Sequence, residues 1–566
     1  MKNNRYSYNL VTIILFIVLF HRIYDFNSVY NIVCNDFIFS GDVRQQVTPF
    51  LFKKTIVDND YILGYHLDVM LPIGIKFLYG TLMKPGLVKF FSKIVPYLLF
   101  IVLVFCVFYS AKIIKGKKIA ICSVIIIIFC NHFIGTMYGG LSRAFAFPFL
   151  ALGLYFLLKS DYFYLGIVTI ASCLFYPVSS LISGTSLLIS MIYDSLAKKN
   201  NLQNTKNIFI LGFVLLACII ILLPSLRKGA NYGARISEKE TLVYREAAIG
   251  GRYGSDSTPP YNNIISEVDL RTTQFIKNIH SLIPSLSLRH LAPYRSIWFL
   301  KYLLILGILA LLVKKILIKD QYYIKILIFI GSFFFLYIIA IIFEPYFYFP
   351  SRYIIYGLPL IFAICIPEML YESFKILVRI AKIRLSVKAY PILVFLTLVL
   401  ISSLIGKKPN NYAGYVNEGA SSDIYDAINE IDENSLIAGW PNDIVDNVAY
   451  LCNRRVYLSH EIHQVFHEKY IIEMRRRFNL FLSAYFSRES HELKTLMENE
   501  RITHIVVNKN HFINNYPPKY FLPFDETIEK IFNDNKGNFF ISNYINNKSN
   551  NFIGQYFLLD IASIDK

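Results

Sequence analysis

The stretch FSKIVPYLLFIVLVFCVFYSA at 91–111, followed at once by KIIKGKK at 112–118, is the clearest guide to the fold. It carries a single charged side chain, Lys93, and as a helix rising about 1.5 Å per residue it reaches roughly 30 Å, the thickness of a bilayer's hydrocarbon. Comparable apolar runs occur at 8–24, 119–138, 143–158, 163–175, 177–195, 207–224, 297–313, 324–343, 353–374 and 389–405. Together they predict a mainly α-helical polytopic bundle of about eleven spans over residues 1–408.

Composition agrees. Of 566 residues, 55% are hydrophobic and 17% charged, whereas a soluble domain averages about 45–50% apolar and about 25% charged. The net charge of +18 lies mainly in short loops between apolar runs, the pattern of cytoplasmic loops and not of a nucleic-acid surface. The eight cysteines show no CxxC or CxxH spacing, so they signal no metal site.

Orientation follows from the basic clusters. With Lys2 and Arg5 placed in the cytoplasm, Lys112, Lys115, Lys117 and Lys118 fall on the same side. So do the clusters at 198–206, 314–319 and 375–388. The first run continues into His21, Arg22, Ile23 and Tyr24 with no small-residue cleavage site, and reads as an uncleaved anchor. An odd number of spans then places the C-terminal segment outside, and the expected address is a bacterial inner membrane. The outward face collects a loop at 25–90, a Gly-rich turn at 139–143, a loop at 225–296 and FEPYFYFPSR at 343–352. Elaboration confined to one face implies work on that face.

From about Asn410 the chain turns polar. Residues 409–566 predict a soluble, extracytoplasmic α/β domain: SLIAGWP, RRVYLSH and ITHIVVNK read as buried strands, and 421–431 and 463–486 as helices. About 150 residues suffice for one independent core. His460, Glu461, His463 and His467 have a spacing that permits two imidazoles on one helical face, although plain surface polarity explains it as well. Arg475, Arg476 and Arg477 offer a basic run for anionic head groups or form a solvated helix face.

The strongest local signal is SGDVRQQVTPF at 40–50, where Asp42, Arg44, Gln45 and Gln46 crowd together, with Asp58 and Asp60 following in VDNDYILGY. A carboxylate just outside the membrane, beside an apolar wall, is placed to take a proton from an acceptor hydroxyl. A capped, salt-bridged loop is the plainer alternative. Arg143 in YGGLSRAFAFP and Arg352 in FPSRYIIYGLP stand at outer span ends. There a guanidinium snorkels to lipid phosphate or grips a phosphate leaving group in bidentate fashion. In the second loop, Arg245, Glu246, Arg252 and Asp256 surround Gly250, Gly251 and Gly254, a further candidate for contact with substrate.

SGDVRQQV, GGLSRAFAFP, FPSRYIIYGLP and SLIAGWPNDIVDNV, with the RRRF helix, resemble an uncharacterised family of bacterial multi-span proteins with GT-C-like architecture. More widely, the first 400 residues resemble the GT-C superfamily of membrane glycosyltransferases, which use polyprenyl-phosphate-linked sugars. The resemblance implies that Asp42 is the catalytic base and that Arg143 and Arg352 bind the donor phosphate. Arg44, Gln45, Gln46, Asp58, Asp60, Arg245 and Arg252 become candidates for contacting substrate. The only Trp residues are Trp298 and Trp440, so no WWD-type acceptor motif is present. The metal-binding residues stay unassigned and a divalent cation, Mg or Mn, stays open. The implied activity is transfer of a sugar from a polyprenyl-phosphate donor to a lipid, glycan or protein acceptor. A transporter or assembly component for envelope polysaccharide is the alternative, but a transporter places its ionisable groups near mid-membrane.

Overall fold

The computed structural model describes residues 26–81, 85–198, 201–248, 250–252, 264–279, 294–343, 349–383, 386, 389–405, 414–513, 516–547, 552–561 and 564. The anchor expected at 8–24 lies outside them, as do Gly254 and Asp256.

The ten other apolar runs all form helix. They are α1 (Pro85–Lys115), α2 (Lys117–Phe129), α3 (Ala146–Lys159), α4 (Tyr162–Phe175), α5 (Pro177–Lys198), α6 (Asn201–Gly229), α7 (Tyr294–Leu317), α8 (Gln321–Ile342), α9 (Ser351–Ile380) and α10 (Tyr390–Ile405). Among the described residues, five helical stretches are long and apolar enough to cross a membrane: Gly86–Lys115, Ser142–Lys159, Thr205–Tyr232, Gln321–Ile342 and Ser351–Ile380. That is fewer than the eleven spans expected. α4 has 14 residues, or roughly 21 Å of helix, which falls short of the hydrocarbon thickness.

The run expected to cross at 119–138 is broken. α2 stops at Phe129, and Cys130 is extended, with φ −95° and ψ 106°. Cys130 bridges to Ile279, and Asn131 N–H donates to the Asn278 carbonyl at 2.8 Å. The loop following α6 thus enters the bundle here through its helix Ile264–Lys277, which packs on α9. Apolar content averaged over the whole run does not reveal such a break, although the polar pair Asn131 and His132 follows Cys130 where it occurs.

α9 is the central helix: 83% of its most apolar stretch is buried, against 6% for the stretch in α6. The exposed face of α6, with Phe209, Phe213, Leu216 and Ile220 outward, needs an apolar surrounding.

The polar tail carries a four-stranded sheet ordered β4-β3-β5-β6, from β3 (Leu436–Gly439), β4 (Arg455–Val456), β5 (His504–Asn508) and β6 (Tyr556–Asp560). β4, β3 and β5 are parallel, and β6 joins β5 antiparallel. The helices Ser422–Asn429 and Glu468–Tyr485 stand where the periodicity placed helix. The tail also reaches back to the first loop. β2 (Val416–Asn417) pairs antiparallel with β1 (Ile38–Phe39), and one apolar core runs from bundle to tail without interruption.

Candidate active site

The helical turn Val43–Gln46 is short and carries Arg44, Gln45 and Gln46 of SGDVRQQ. Asp42 sits at its N-cap but makes no side-chain cap bond. Its carboxylate instead forms an ion pair with Arg143, each side chain 34% exposed, so both are within reach of a ligand. Arg143 lies in the 3-10 turn Ser142–Phe145 that runs into α3. Its Nε is buried without a hydrogen-bond partner among the described residues. A buried guanidinium nitrogen left unpaired carries a desolvation cost that an oxyanion would relieve.

The turn before Arg143 depends on glycine. Gly139 and Gly140 have φ of +86° and +61°, a region L side chains seldom occupy. A methyl at Gly140 would press on the Tyr79 hydroxyl and lie 2.7 Å from the Ser92 carbonyl oxygen. Tyr79 Oη donates to the Gly140 carbonyl at 2.6 Å, which fixes the turn against the first loop. Gln46 completes the connection: its Oε1 accepts from Ser142 N at 2.9 Å and Ser142 Oγ at 3.0 Å.

Arg352 is the second residue of α9 and lies over the Phe349 ring at 5.1 Å. Its charge acts on the Tyr176 hydroxyl. Phe175, next to Tyr176, stacks on Phe145 with centroids 4.3 Å apart. Arg143 and Arg352 therefore flank one cluster of helix ends.

Most of the other expected residues have structural partners. Arg44 Nη1 donates to Asp446 Oδ2 at 2.5 Å and Asn447 Oδ1 at 3.0 Å, and Nη2 lies 3.4 Å from Glu461 Oε2. Gln45 Nε2 donates to Glu461 Oε1. Arg252 Nε donates to the His460 carbonyl at 2.9 Å, and its Nη2 lies 3.4 Å from Glu461 Oε2. Asp60 caps the helix Tyr61–Tyr65 by accepting from Ile62 N and Leu63 N at 3.0 Å. Asp58 is exposed on the helix Lys54–Asn59. Arg245 makes a bidentate pair with Glu526 at 2.9 and 2.6 Å, on an open surface. The run 475–477 is engaged within the protein: Arg475 with Glu246, Arg476 with Glu473 and Glu500, Arg477 with Glu473.

The histidines do not share a helical face. His467 Nδ1 meets the Tyr65 hydroxyl at 3.0 Å, and His463 Nδ1 the Tyr520 hydroxyl at 3.1 Å. Burial holds His460 and His467 below the ordinary imidazole range, at about 3 and about 4, the nearby arginines adding to the effect. Instead Asp446, His460 and Glu461 group together, with three potential ligand atoms within 4.8 Å of one another. Burial pushes both carboxyls up, and Arg44 and Arg252 pull them back. Those two guanidiniums already neutralise the carboxylates, so a divalent ion here would compete with Arg44 for Asp446.

No protein-family model matches the chain, and no curated protein matches it. Among solved structures, it is similar to the Archaeoglobus fulgidus oligosaccharyltransferase in complex with Zn and sulfate, at 12% identity and TM-score 0.39, covering 74% of this chain and 56% of that one. It is also similar to the archaeal oligosaccharyltransferase AglB from Archaeoglobus fulgidus in complex with an inhibitory peptide and a dolichol-phosphate, at 10% identity and TM-score 0.40, covering 78% and 61%. The apo form of the Archaeoglobus fulgidus oligosaccharyltransferase gives 11% identity and TM-score 0.41, covering 84% and 66%. The chain thus spans less than two thirds of the length of these structures.

Proposed function

We propose that this protein is a membrane glycosyltransferase that moves a sugar from a polyprenyl-phosphate donor to a lipid, glycan or protein acceptor on the outer face. One observation carries the reading: the Asp42–Arg143 ion pair, a third exposed at the end of the bundle, with an unpartnered guanidinium nitrogen behind it. It sets a proton acceptor beside an anion binder, the two functions that transfer from a glycosyl phosphate requires.

In this mechanism the donor phosphate takes up the free hydrogen-bonding capacity of Arg143, and Arg352 adds a second positive charge at the same helix ends. Binding of the phosphate loosens Arg143 from Asp42 and frees the carboxylate. As the acceptor oxygen attacks the anomeric carbon, Asp42 takes its proton. The bond from that carbon to the phosphate oxygen breaks, and the electron pair leaves with the phosphate. Arginine stabilises the charge that develops there, and its planar fork suits phosphate better than a lysine ammonium does.

The reading is tested by mass spectrometry of surface glycans and lipid-linked sugars in cells with and without the protein. Loss of the protein is expected to remove one sugar from a defined glycan and to leave its polyprenyl-phosphate precursor in excess. Identical profiles in the two cell lines would contradict the proposal.

A further inference from the structure

We infer that the tail is a working part of the site, with Glu461 and Asp446 acting through Arg44 and Gln45 as positioning residues that set Asp42 against Arg143. The consequence for activity rests on the transferase reading; the positioning rests on contacts alone.

Segment 37–46 is held on two sides by the tail. On one, Ile38 and Phe39 pair with Asn417 and Val416, and Glu418 N–H donates to the Phe37 carbonyl at 2.9 Å. On the other, the turn Val43–Gln46 sends Arg44 and Gln45 to the acids of the tail. The tail's grip is itself braced. Asp446 Oδ1 accepts the Glu461 N–H at 2.8 Å, and Arg252 from the second outer loop reaches both Glu461 and the His460 carbonyl.

From that grip two paths lead to the ion pair. Arg44 Nε donates at 2.9 Å to the carbonyl of Gly41, the residue immediately before Asp42. Gln46, on the same turn, holds the Ser142 N–H immediately before Arg143. Both partners of the ion pair are therefore positioned by neighbours on a turn whose remaining polar side chains belong to the tail contact. Asp42 spends no side-chain bond on capping this turn, so nothing within the turn itself fixes its carboxylate. A displacement of about 1 Å at a reacting group can cost about 100-fold in rate, so a grip on this turn controls transfer even though Glu461 never meets the sugar.

The test uses the full chain in lipid nanodiscs and reads amide hydrogen exchange by mass spectrometry, with Arg44→Ala, Glu461→Gln and Arg44→Lys compared with wild type. The Ser142 amide reports directly on the far end of the connection, because its hydrogen is bonded to Gln46. In Arg44→Ala and Glu461→Gln, exchange over 38–46 and 142–145 is expected to rise about tenfold or more, while β3 and β5 keep wild-type protection. Arg44→Lys should recover part of it. Wild-type exchange at 142–145 in Arg44→Ala would overturn the inference. A parallel measurement of the surface glycan separates the two claims. Faster exchange at 142–145 in Arg44→Ala, with the glycan unchanged even in Asp42→Asn, overturns the transferase reading and supports the positioning. Loss of the glycan in Asp42→Asn, with both glycan and exchange intact in Arg44→Ala, overturns the positioning and supports the transferase.

Discussion

Replacing Asp42 by Asn is expected to lower sugar transfer by about 10²–10⁴-fold, the usual contribution of a positioned general base, with the protein present at its normal level. The substitution keeps size and a hydrogen-bonding oxygen while removing the group that accepts a proton. It also removes the charge paired with Arg143, but both side chains are a third exposed, and an ion pair of that kind contributes roughly 0–1 kcal/mol. Loss of activity through unfolding is therefore not expected. The readout is the surface glycan of cells carrying only the variant, beside an immunoblot of the membrane fraction. An unaltered glycan would remove Asp42 as the base.

The second large effect concerns stability. Arg454 is 7% exposed and its guanidinium satisfies the carbonyls of Asn429, Ile431 and Cys452. Those bonds join the end of the helix Ser422–Asn429 to the strand β4. Arg454→Ala would leave these three carbonyls without their shared charged donor. Hydrogen bonds to a charged donor contribute about 1.5–3 kcal/mol each, and a buried unsatisfied acceptor costs about 1–3 kcal/mol. The substitution is expected to destabilise the tail by roughly 3–5 kcal/mol. Denaturant unfolding followed through Trp440, which is buried against Phe478 and Tyr485, would show it as a lower midpoint. An unchanged midpoint would mean that solvent replaces the guanidinium without cost.

Most of the helical bundle is legible in the sequence because helix in an apolar solvent has one requirement, a long run without charge. The same rule explains where the reading stops. It cannot see Cys130, where the loop between α6 and α7 supplies the backbone partner and the helix ends inside an apolar run. Strand β6 was also hidden: YFLLD at 556–560 is short and apolar, and only its pairing with β5 distinguishes it from other buried segments.

The site divides in the same way. Asp42, Arg143 and Arg352 stand out because charge at the mouth of an apolar helix is costly and so conspicuous. The partner of Arg44 does not, since Asp446 lies 402 residues further on and nothing in GWPNDIVDNV names a guanidinium. The spacing of His460, His463 and His467 suggests a helical pair, yet His460 and His463 both pack against Tyr520 and Phe521, while His467 turns to Tyr65 of the first loop. Spacing is informative only when the segment is helical, and this one is irregular up to Glu468.

The account depends most on both parts of the site facing the outside of the cell, and cysteine labelling with a membrane-impermeant maleimide tests this directly. In a background without the native cysteines, the variants are Asp58→Cys in the first loop, Glu433→Cys in the tail and Lys319→Cys between α7 and α8, all at exposed positions. The first two are expected to react in intact cells, and Lys319→Cys only after the membrane is permeabilised. Reaction of Lys319→Cys in intact cells, with the other two protected, would place Asp42 and Arg143 in the cytosol and contradict transfer on the outer face.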